Sequence, residues 1–275
     1  MTAPFPATSA APRSKGLLTP GVGPVEIARL WPGEAMRTLV RHYWLPRWSL
    51  PAGVTVRQQV LEYPASNLVV EAGDAALHRA KRGRSDTVLT GTGWAFGVLF
   101  HPGSARALVG ASLRTAPPAV PIDRLEPGGL DGAIRRIRVA MSAGDDRGAV
   151  AAFERWAAVD LSPPGADAVL VNAIVEAVEN DRELVRVEQL ADRFGLGVRH
   201  LQRLVAGHIG FGPKWLIQRY RLQEAAAALR SGNAPPLAGL AAELGYVDQA
   251  HFGHEFKTVI GSTPGAYLAQ AAASG

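Results

Sequence analysis

The spacing of hydrophobic and polar positions changes near residue 165, and it predicts two kinds of secondary structure. Between residues 25 and 111, short apolar runs such as VTVRQQVLEY, NLVVEAG and GWAFGVLF alternate with Gly, Pro, Asn and Asp. Short runs bounded by such turn-forming residues are typical of β-strands. We therefore predict a β-rich domain over 21–125, preceded at 1–20 by a disordered tail rich in Ala, Pro, Ser and Thr.

Helical spacing first occurs over residues 130–160. The candidate apolar positions there are Ile134, Ile137, Met141, Val150 and Phe153. A proline-rich stretch at 115–129 precedes this segment, and the sequence SPPG follows it at 162–165. We predict a helical linker region over 126–165 and a domain boundary at SPPG.

Residues 166–275 are predicted to form a domain built only from helices. The first helix carries apolar residues at helical spacing, namely Leu170, Val171, Ile174, Val175 and Val178. Further helices are expected near 186–194, 198–207, 213–230, 237–244, 248–259 and 264–270. The expected fold class is therefore α+β, with an all-α C-terminal domain.

Capping and turn residues support these helix boundaries. Pro213 and Pro264 suit the first position of a helix, because proline has no backbone N–H to donate there. Thr263 precedes Pro264 and suits an N-cap. Gly195 and Gly245 suit the left-handed residue that ends a short helix.

The last 90 residues contain an internal repeat. The segment LADRFGLGVRHLQRLV (190–205) resembles LAAELGYVDQAHFGHEF (240–256). The offset is 50 residues up to the glycine and 51 beyond it, as one extra residue in the second turn would produce. Each copy reads as a short helix, a glycine turn and a second helix, which is the helix-turn-helix pattern.

The second helix of each copy has an apolar stripe and a polar stripe. The apolar positions are Leu201, Leu204 and Val205 in the first copy and Phe252, Phe256 and Val259 in the second. The polar positions are Arg199, Gln202 and Arg203 in the first copy and Gln249, His251 and His254 in the second. Arg and Gln can form two hydrogen bonds to guanine and adenine edges. A solvated helix face is the alternative interpretation for each copy taken alone.

Three further cations are candidates for contact with DNA phosphates. They are Lys214, Arg219 and Lys257, which lie on or beside the predicted helices of the repeat. Charge on the solvated surface of a helix explains each of them equally well.

The C-terminal segment resembles the DNA-binding domain of AraC/XylS-type transcription regulators. The resemblance rests on LADRFGLGVRHLQRLV, PKWLIQRYRLQEAAAAL and LAAELGYVDQAHFGHEFKTVIGSTPGAY, over residues 186–268. It implies two helix-turn-helix units that are joined by a long helix and read successive major grooves. The implied base-reading positions are Arg199, Gln202, Arg203, Gln249, Ala250, His251 and His254.

Two positions depart from the pattern of this family. We call the second helix of each unit its recognition helix. Gly197 and Val247 stand where a Ser usually caps the first and the second recognition helix. Because Val247 cannot cap a helix, Asp248 is expected to cap the second one. The resemblance implies double-stranded DNA as partner, with RNA polymerase and a second copy of the chain as further candidates.

The β-rich half resembles, more loosely, the sensor domains that precede such DNA-binding domains. Its segments RHYWLPRW, YPASNLVVE and GWAFGVLFHPG carry this resemblance, which implies a cupin-like half barrel or sandwich around a small-molecule effector. The candidate ligand-binding residues are Trp44, Trp48, Tyr63, Asn67, Trp94 and Phe96. Simple packing of a core is the alternative for each of them.

Composition limits the remaining possibilities. The 275 residues are 47% hydrophobic and 19% charged, and 29 Lys and Arg against 24 Asp and Glu leave a formal charge of +5. Such a chain can bury a core, and its mild basicity is compatible with an anionic partner. The absence of cysteine excludes disulfides, Cys-ligated zinc and thiol catalysis.

Several other classes of protein lack support in the sequence. His42, His78 and His101 have no partners at metal-ligand spacing, and no nucleophile elbow, P-loop or Rossmann fingerprint occurs. We therefore expect no metal, no cofactor and no enzymatic activity. No signal peptide or membrane helix is expected, and the expected location is the cytoplasm.

Two rival hypotheses remain open. In one, the chain is a small-molecule-binding or enzymatic β-barrel protein whose helical C-terminal region is only structural. In the other, the chain binds DNA, but its N-terminal half serves only for dimerisation. The preferred prediction is a sequence-specific transcription regulator with DNA-binding residues in 166–275.

Overall fold

The computed structural model describes residues 25–61, 63–232 and 234–273. The predicted tail at 1–20 and the beginning of the 21–125 segment lie outside the described residues. Among the described residues, no helix combines the length and the apolar character needed to cross a bilayer.

The N-terminal half contains an antiparallel sheet and a separate strand pair, which confirms the β-rich prediction. The strands are β1 (Val25–Leu30), β2 (Val40–Ser49), β3 (Thr55–Val60), β4 (Asn67–Glu71), β5 (Ala75–His78), β6 (Ser85–Thr90), β7 (Thr92–Phe100) and β8 (Ala119–Pro121). Six of them form one sheet in the order β1-β2-β7-β4-β5-β8. The pair β3–β6 lies apart from that sheet.

Three α-helices lie in the described residues of this half, and two of them cover one face of the sheet. They are α1 (Arg106–Val109), α2 (Leu130–Ser142) and α3 (Asp146–Asp160). Ile137 of α2 and Phe153 of α3 are fully buried in one core with Tyr43, Phe96 and Phe100 of the sheet. The rings of Tyr43 and Phe96 stack at 5.9 Å, and Phe153 meets Tyr43 edge-on at the same distance.

The segment 126–165 therefore differs from the predicted linker. Its helices are amphipathic, and the apolar face of the sheet is the partner that buries their apolar stripes. The segment forms a layer of the N-terminal core, while the exact domain boundaries stay a prediction.

The C-terminal part is helical, as predicted. Its helices are α4 (Ala166–Asn180), α5 (Val187–Arg193), α6 (Val198–Ile209), α7 (Pro213–Arg230), α8 (Leu237–Glu243), α9 (Gln249–Ile260) and α10 (Pro264–Ala273). Pro213 and Pro264 occupy first helical positions, and the Thr263 hydroxyl accepts a hydrogen bond from Ala266 N at 3.3 Å.

Two apolar cores lie side by side along α7. Leu216, Ile217 and Tyr220 of α7 pack with α4, α5 and α6, and the core of that unit includes the fully buried Leu201. Further along the same helix, Leu222 and Leu229 pack with α8 and α9 around Phe252 and Phe256. One helix thus holds both units of the sequence repeat.

The two halves of the chain contact one another directly. Ala80 of the β5–β6 loop is buried in the first C-terminal core, and Leu61 is buried in the second. Leu113 N donates a hydrogen bond to Gly207 O at 2.9 Å, and Gly103 N donates to Asn172 Oδ1 at 2.8 Å.

Candidate nucleic-acid interface and the cavity of the β-rich half

The first repeat unit is a helix-turn-helix formed by α5 and α6. Gly195 ends α5 with φ of +62°, a conformation that side chains other than glycine rarely adopt. Leu201, Leu204 and Val205 turn their side chains into the core, which leaves the other face of α6 outside. Arg199, Gln202 and Arg203 are all exposed on that outer face, as the sequence predicted.

A neighbour that sequence reasoning missed orients Arg203. The Nη2 atom of Arg203 lies 3.1 Å from His200 Nδ1, and both side chains are exposed. The two residues are three apart on a helix, the spacing at which side chains meet. The three-residue spacing is visible in the sequence, so His200 was predictable as a neighbour of Arg203.

The second unit repeats the arrangement with α8 and α9. Gly245 ends α8 with φ of +76°. The carboxylate of Asp248 accepts a hydrogen bond from His251 N at 2.7 Å and caps α9, which confirms the predicted replacement for the missing Ser. The polar positions of this unit are exposed, namely Gln249, Ala250, His251 and His254. The ring of Tyr246 meets the His251 ring edge-on at 5.3 Å and restricts it.

The three predicted phosphate contacts have different surroundings. Lys214 in the first turn of α7 and Lys257 in the last turn of α9 are exposed. Arg219 is 1% exposed, and its guanidinium lies 5.5 Å from the ring of Trp215. The prediction for Arg219 is therefore wrong, because a guanidinium enclosed between the helices cannot reach DNA from this position.

The β-rich half contains a cavity of about 350 Å³ between its two sheets. One wall is the sheet face that points away from α2 and α3, and the other is the β3–β6 pair. Trp44 and Trp48 of β2 and Asn67 of β4 line the first wall, and Tyr63 lies between the walls in the β3–β4 connection. These four residues lie where a ligand site was predicted, and ligand binding at them stays a prediction.

Two glycines of β7 make room for the tryptophans. Trp44 pairs with Gly97 across the sheet, and Trp48 pairs with Gly93. A Cβ atom on either glycine would collide with the indole opposite, so only glycine lets both rings lie against the strand. Trp44 Nε1 donates to Asn67 Oδ1 at 3.1 Å, which fixes the ring in the cavity wall.

Trp94 and Phe96 do not line the cavity. Side chains alternate along a strand, and both residues of β7 point towards α2 and α3. Phe96 is fully buried in that core, and Trp94 packs against it. The ligand-binding prediction is wrong for these two residues, and the core-packing alternative is the correct one.

Arg29 and His42 bring nitrogen groups into the cavity wall. Arg29 is half-buried on β1, and His42 on β2 is 5% exposed. Burial, together with the neighbouring cations Arg41 and Arg29, lowers the pKa of His42 to about 4, so its ring is neutral near pH 7. Burial also lowers the pKa of Arg29, and the nearby Tyr63 raises this pKa by a smaller amount.

A chain of polar contacts joins the cavity to the helices of the C-terminal part. The Arg41 guanidinium lies 4.4 Å from the centre of the Tyr63 ring. Arg41 Nη2 donates to Glu179 Oε1 of α4 at 3.0 Å, and the Tyr220 hydroxyl of α7 donates to Glu179 Oε2 at 3.2 Å. Sequence reasoning missed this link, because Arg41 and Glu179 lie far apart in the chain and form no motif.

The β5–β6 loop forms a second connection, and it reaches both helix-turn-helix units. The guanidiniums of Arg79 and Arg82 lie 5.7 and 5.2 Å from the ring of Phe211, just beyond the end of α6. Arg84 Nη1 donates to Ile260 O, at the end of α9, at 3.3 Å. The loop thus contacts the C-terminal ends of both recognition helices and leaves their polar stripes exposed.

Known protein families match both halves of the chain. Residues 190–270 match a family described as a helix-turn-helix domain, and this match includes most of α5 and all of α6 to α9. Residues 28–116 match a family described as a domain of unknown function, DUF6597.

Curated relatives resemble part of the chain. An uncharacterised HTH-type transcriptional regulator of Haemophilus influenzae is 34% identical over 95 residues, and the HTH-type transcriptional activator RhaS of Escherichia fergusonii is 33% identical over 98. An AraC-like transcription regulator of Streptomyces lividans is 32% identical over 102 residues. The alignments cover 34%, 36% and 37% of this chain and 30%, 35% and 33% of the relatives. The chain thus spans about a third of the length of these relatives, and its C-terminal region contains a helix-turn-helix domain similar to theirs.

Solved structures also resemble the chain. ToxT from Vibrio cholerae O395 aligns at 10% identity and a TM-score of 0.37, over 90% of this chain and 97% of that chain. The C-terminal domain of AraT, a response regulator from Geobacillus stearothermophilus, aligns at 22% identity and a TM-score of 0.33, over 37% of this chain and 84% of that chain.

Proposed function

We propose that the protein is a sequence-specific DNA-binding transcription regulator with a small-molecule sensor in its N-terminal half. The observation that supports this proposal best is the pair of helix-turn-helix units on α7, each with an exposed polar stripe on its second helix. If each polar stripe were only a solvated helix surface, there would be no reason for a second unit to repeat the same turn and the same exposed face. The repeat is what DNA recognition in two adjacent half-sites requires.

The two units would differ in how they read bases. The first presents two arginines and a glutamine, which can form paired hydrogen bonds to guanine and adenine edges. The second presents Gln249, His251 and His254 around the small Ala250, and it offers fewer long donors. We therefore expect the half-site of the first unit to have the stronger base preference.

Selection of bound sequences from a random pool of double-stranded DNA by the full chain tests this proposal. A regulator would enrich one motif, and its affinity for that motif would fall with salt as phosphate contacts are lost. Enrichment of no motif, with equal weak binding to all DNA, would contradict sequence-specific recognition. The absence of any salt-sensitive DNA binding would favour the rival in which the helical region is only structural.

The sensor role rests on the position of the cavity. Its wall residue Tyr63 contacts Arg41, which is ion-paired with Glu179 of α4, and Glu179 accepts a hydrogen bond from Tyr220 of α7. A ligand that moved Tyr63 would therefore act on the helix that carries both units. The rival role as a dimerisation module alone predicts no such coupling, and self-association of the full chain measured by sedimentation tests that role directly. Because the proposed partner is DNA, the proposed location is the cytoplasm.

A further inference from the structure

The cavity between the two sheets has a mostly apolar surface with one arginine set into its sheet wall. Trp44, Trp48 and Leu99 contribute broad apolar surface to this wall. Arg29 projects from β1 on the same wall, directly opposite Trp44 in the strand register. A ligand in contact with the indoles would therefore lie beside a guanidinium.

Arg29 forms no ion pair with a carboxylate among the residues that the structure describes. The cavity does contain Glu71 and Asp74, but both are exposed, and neither is ion-paired with Arg29. Tyr63 raises the pKa of Arg29, and Arg29 in turn lowers the pKa of His42. A half-buried cation without an anion is unfavourable, and an anionic ligand would remove that penalty.

We propose that the cavity binds a small organic anion with an aromatic or aliphatic body. Its carboxylate or equivalent acidic group would accept hydrogen bonds from Arg29, and its body would lie against Trp44 and Trp48. This inference rests on the proposed sensor function only in taking the cavity as a ligand site.

The size and the polar groups of the cavity limit which organic anions could bind there. A volume of about 350 Å³ lies near the lower end of the range of about 300–1,000 Å³ for small-molecule sites, so the ligand has one or a few rings. His42 is held neutral, so the cations that line the cavity are Arg29 on the sheet wall and Lys81 in the β5–β6 loop. Arg29 lies beside the indoles on the sheet wall, and there its charge would distinguish an acid from its neutral analogue. The guanidinium presents several N–H donors in one plane, and that geometry suits a carboxylate or sulfonate.

Two fluorescent probes test the proposal on the full chain. 1-Anilinonaphthalene-8-sulfonate carries an acidic group on an aromatic body, and N-phenyl-1-naphthylamine has the same body without it. Binding is measured by probe fluorescence and by energy transfer from tryptophan, in the absence of DNA. We expect the anionic probe to bind about tenfold or more tightly than the neutral one, as a charge-assisted hydrogen bond predicts.

Variants of Arg29 assign the difference to this residue. Arg29→Gln should reduce the affinity for the anionic probe about tenfold and leave the neutral probe unchanged, whereas Arg29→Lys should keep most of the preference. Arg57→Gln is the matched control, because Arg57 is exposed on β3 and does not line the cavity. Thermal unfolding of each variant shows whether it is folded, and the comparison of the two probes on the natural chain does not depend on any variant.

Each other outcome overturns the proposal in a distinguishable way. Equal affinities for the two probes, or anionic binding that survives Arg29→Gln, would show that the charge on Arg29 selects no ligand. Binding of neither probe would remove both the anion proposal and the sensor role of the cavity. DNA selection by the full chain would remain unaffected in all three cases, so failure here is separate from failure of DNA recognition.

Discussion

Arg203 and Lys214 are both exposed cations of the first helix-turn-helix unit, but they occupy different places on it. Arg203 lies on the polar stripe of α6, and its guanidinium is held by His200 at 3.1 Å. Lys214 lies in the first turn of α7, away from that stripe. We therefore expect a base contact from Arg203 and a phosphate contact from Lys214.

Alanine at each position separates the two roles. Arg203→Ala should weaken binding to the selected site far more than to random DNA, by about 1–3 kcal/mol, because a bidentate contact to guanine discriminates by that much. Lys214→Ala should weaken both about equally and reduce the salt slope by about one unit. Titrations of both DNAs at several salt concentrations measure these effects. If Arg203→Ala lowered both affinities by the same factor, Arg203 would be a backbone contact.

His42 links the stability of the β-rich half to pH. Its folded-state pKa of about 4 lies below the ordinary value of 6.5, mainly because of burial, so the unfolded chain takes up a proton first as the pH falls. The stabilisation is complete above pH 6.5 and is lost progressively towards pH 4, by about 3 kcal/mol at most. Urea unfolding of His42→Leu and the natural chain across this window should show a smaller loss in the variant. Identical pH dependence in the two proteins would mean that His42 does not carry the effect.

The two recognition helices begin differently at the scale of secondary-structure elements. Asp248 caps α9 with a side-chain hydrogen bond, whereas α6 begins after Gly197, which has no side chain to accept one. Gly197 has φ of −67° and ψ of 140°, an extended conformation that any residue adopts, and open space surrounds its Cα. A capping side chain added at position 197 should therefore stabilise α6, and removal of the Asp248 side chain should destabilise α9.

Reciprocal substitutions at the two caps should move stability in opposite directions. Asp248→Ala should destabilise the protein by about 1 kcal/mol, and Gly197→Ser should stabilise it by about 0.3 kcal/mol, as serine exceeds glycine only slightly as a cap. Urea unfolding followed by circular dichroism measures both. A loss of stability in Gly197→Ser would show that the turn before α6 cannot accept a side chain.

At the scale of the whole molecule, the β5–β6 loop connects the cavity to both helix-turn-helix units. Its arginines contact Phe211 beyond α6 and Ile260 at the end of α9. The strand β6 that follows the loop contributes Thr87 and Leu89 to the cavity. The cavity wall is therefore joined within a few residues of chain to arginines that contact the ends of both recognition helices.

Removal of two loop arginines should loosen the contact between the halves. In the double variant Arg82→Ala and Arg84→Ala, proteolytic cleavage within the partly exposed segment 162–165 should accelerate about fivefold. The reason is that the variant loses about 1 kcal/mol of stabilisation, the net contribution of one hydrogen bond. Arg57→Ala, on the exposed face of β3, serves as the control for removal of an arginine that makes no hydrogen bond or ring contact with the described C-terminal helices. Cleavage at an unchanged rate would mean that the loop does not hold the halves together.

The sequence alone determined the features that depend on a few neighbouring residues. The repeat at 190–205 and 240–256, the left-handed glycines at 195 and 245 and the cap at Asp248 were all predictable, because each is set by backbone conformation and hydrogen bonds within one or two turns. The exposed stripes of α6 and α9 followed from helical periodicity in the same way.

Only the tertiary structure decided which surface each side chain meets. Alternation along β7 separates Trp94 and Phe96 from Ala95 and Leu99, but the sequence does not say which set faces the helices and which the cavity. The burial of Arg219, the packing of α2 and α3 on the sheet and the contact between Arg41 and Glu179 depend on segments far apart in the chain. Local propensity carries no information about such partners, because their contacts form only when the whole chain is folded.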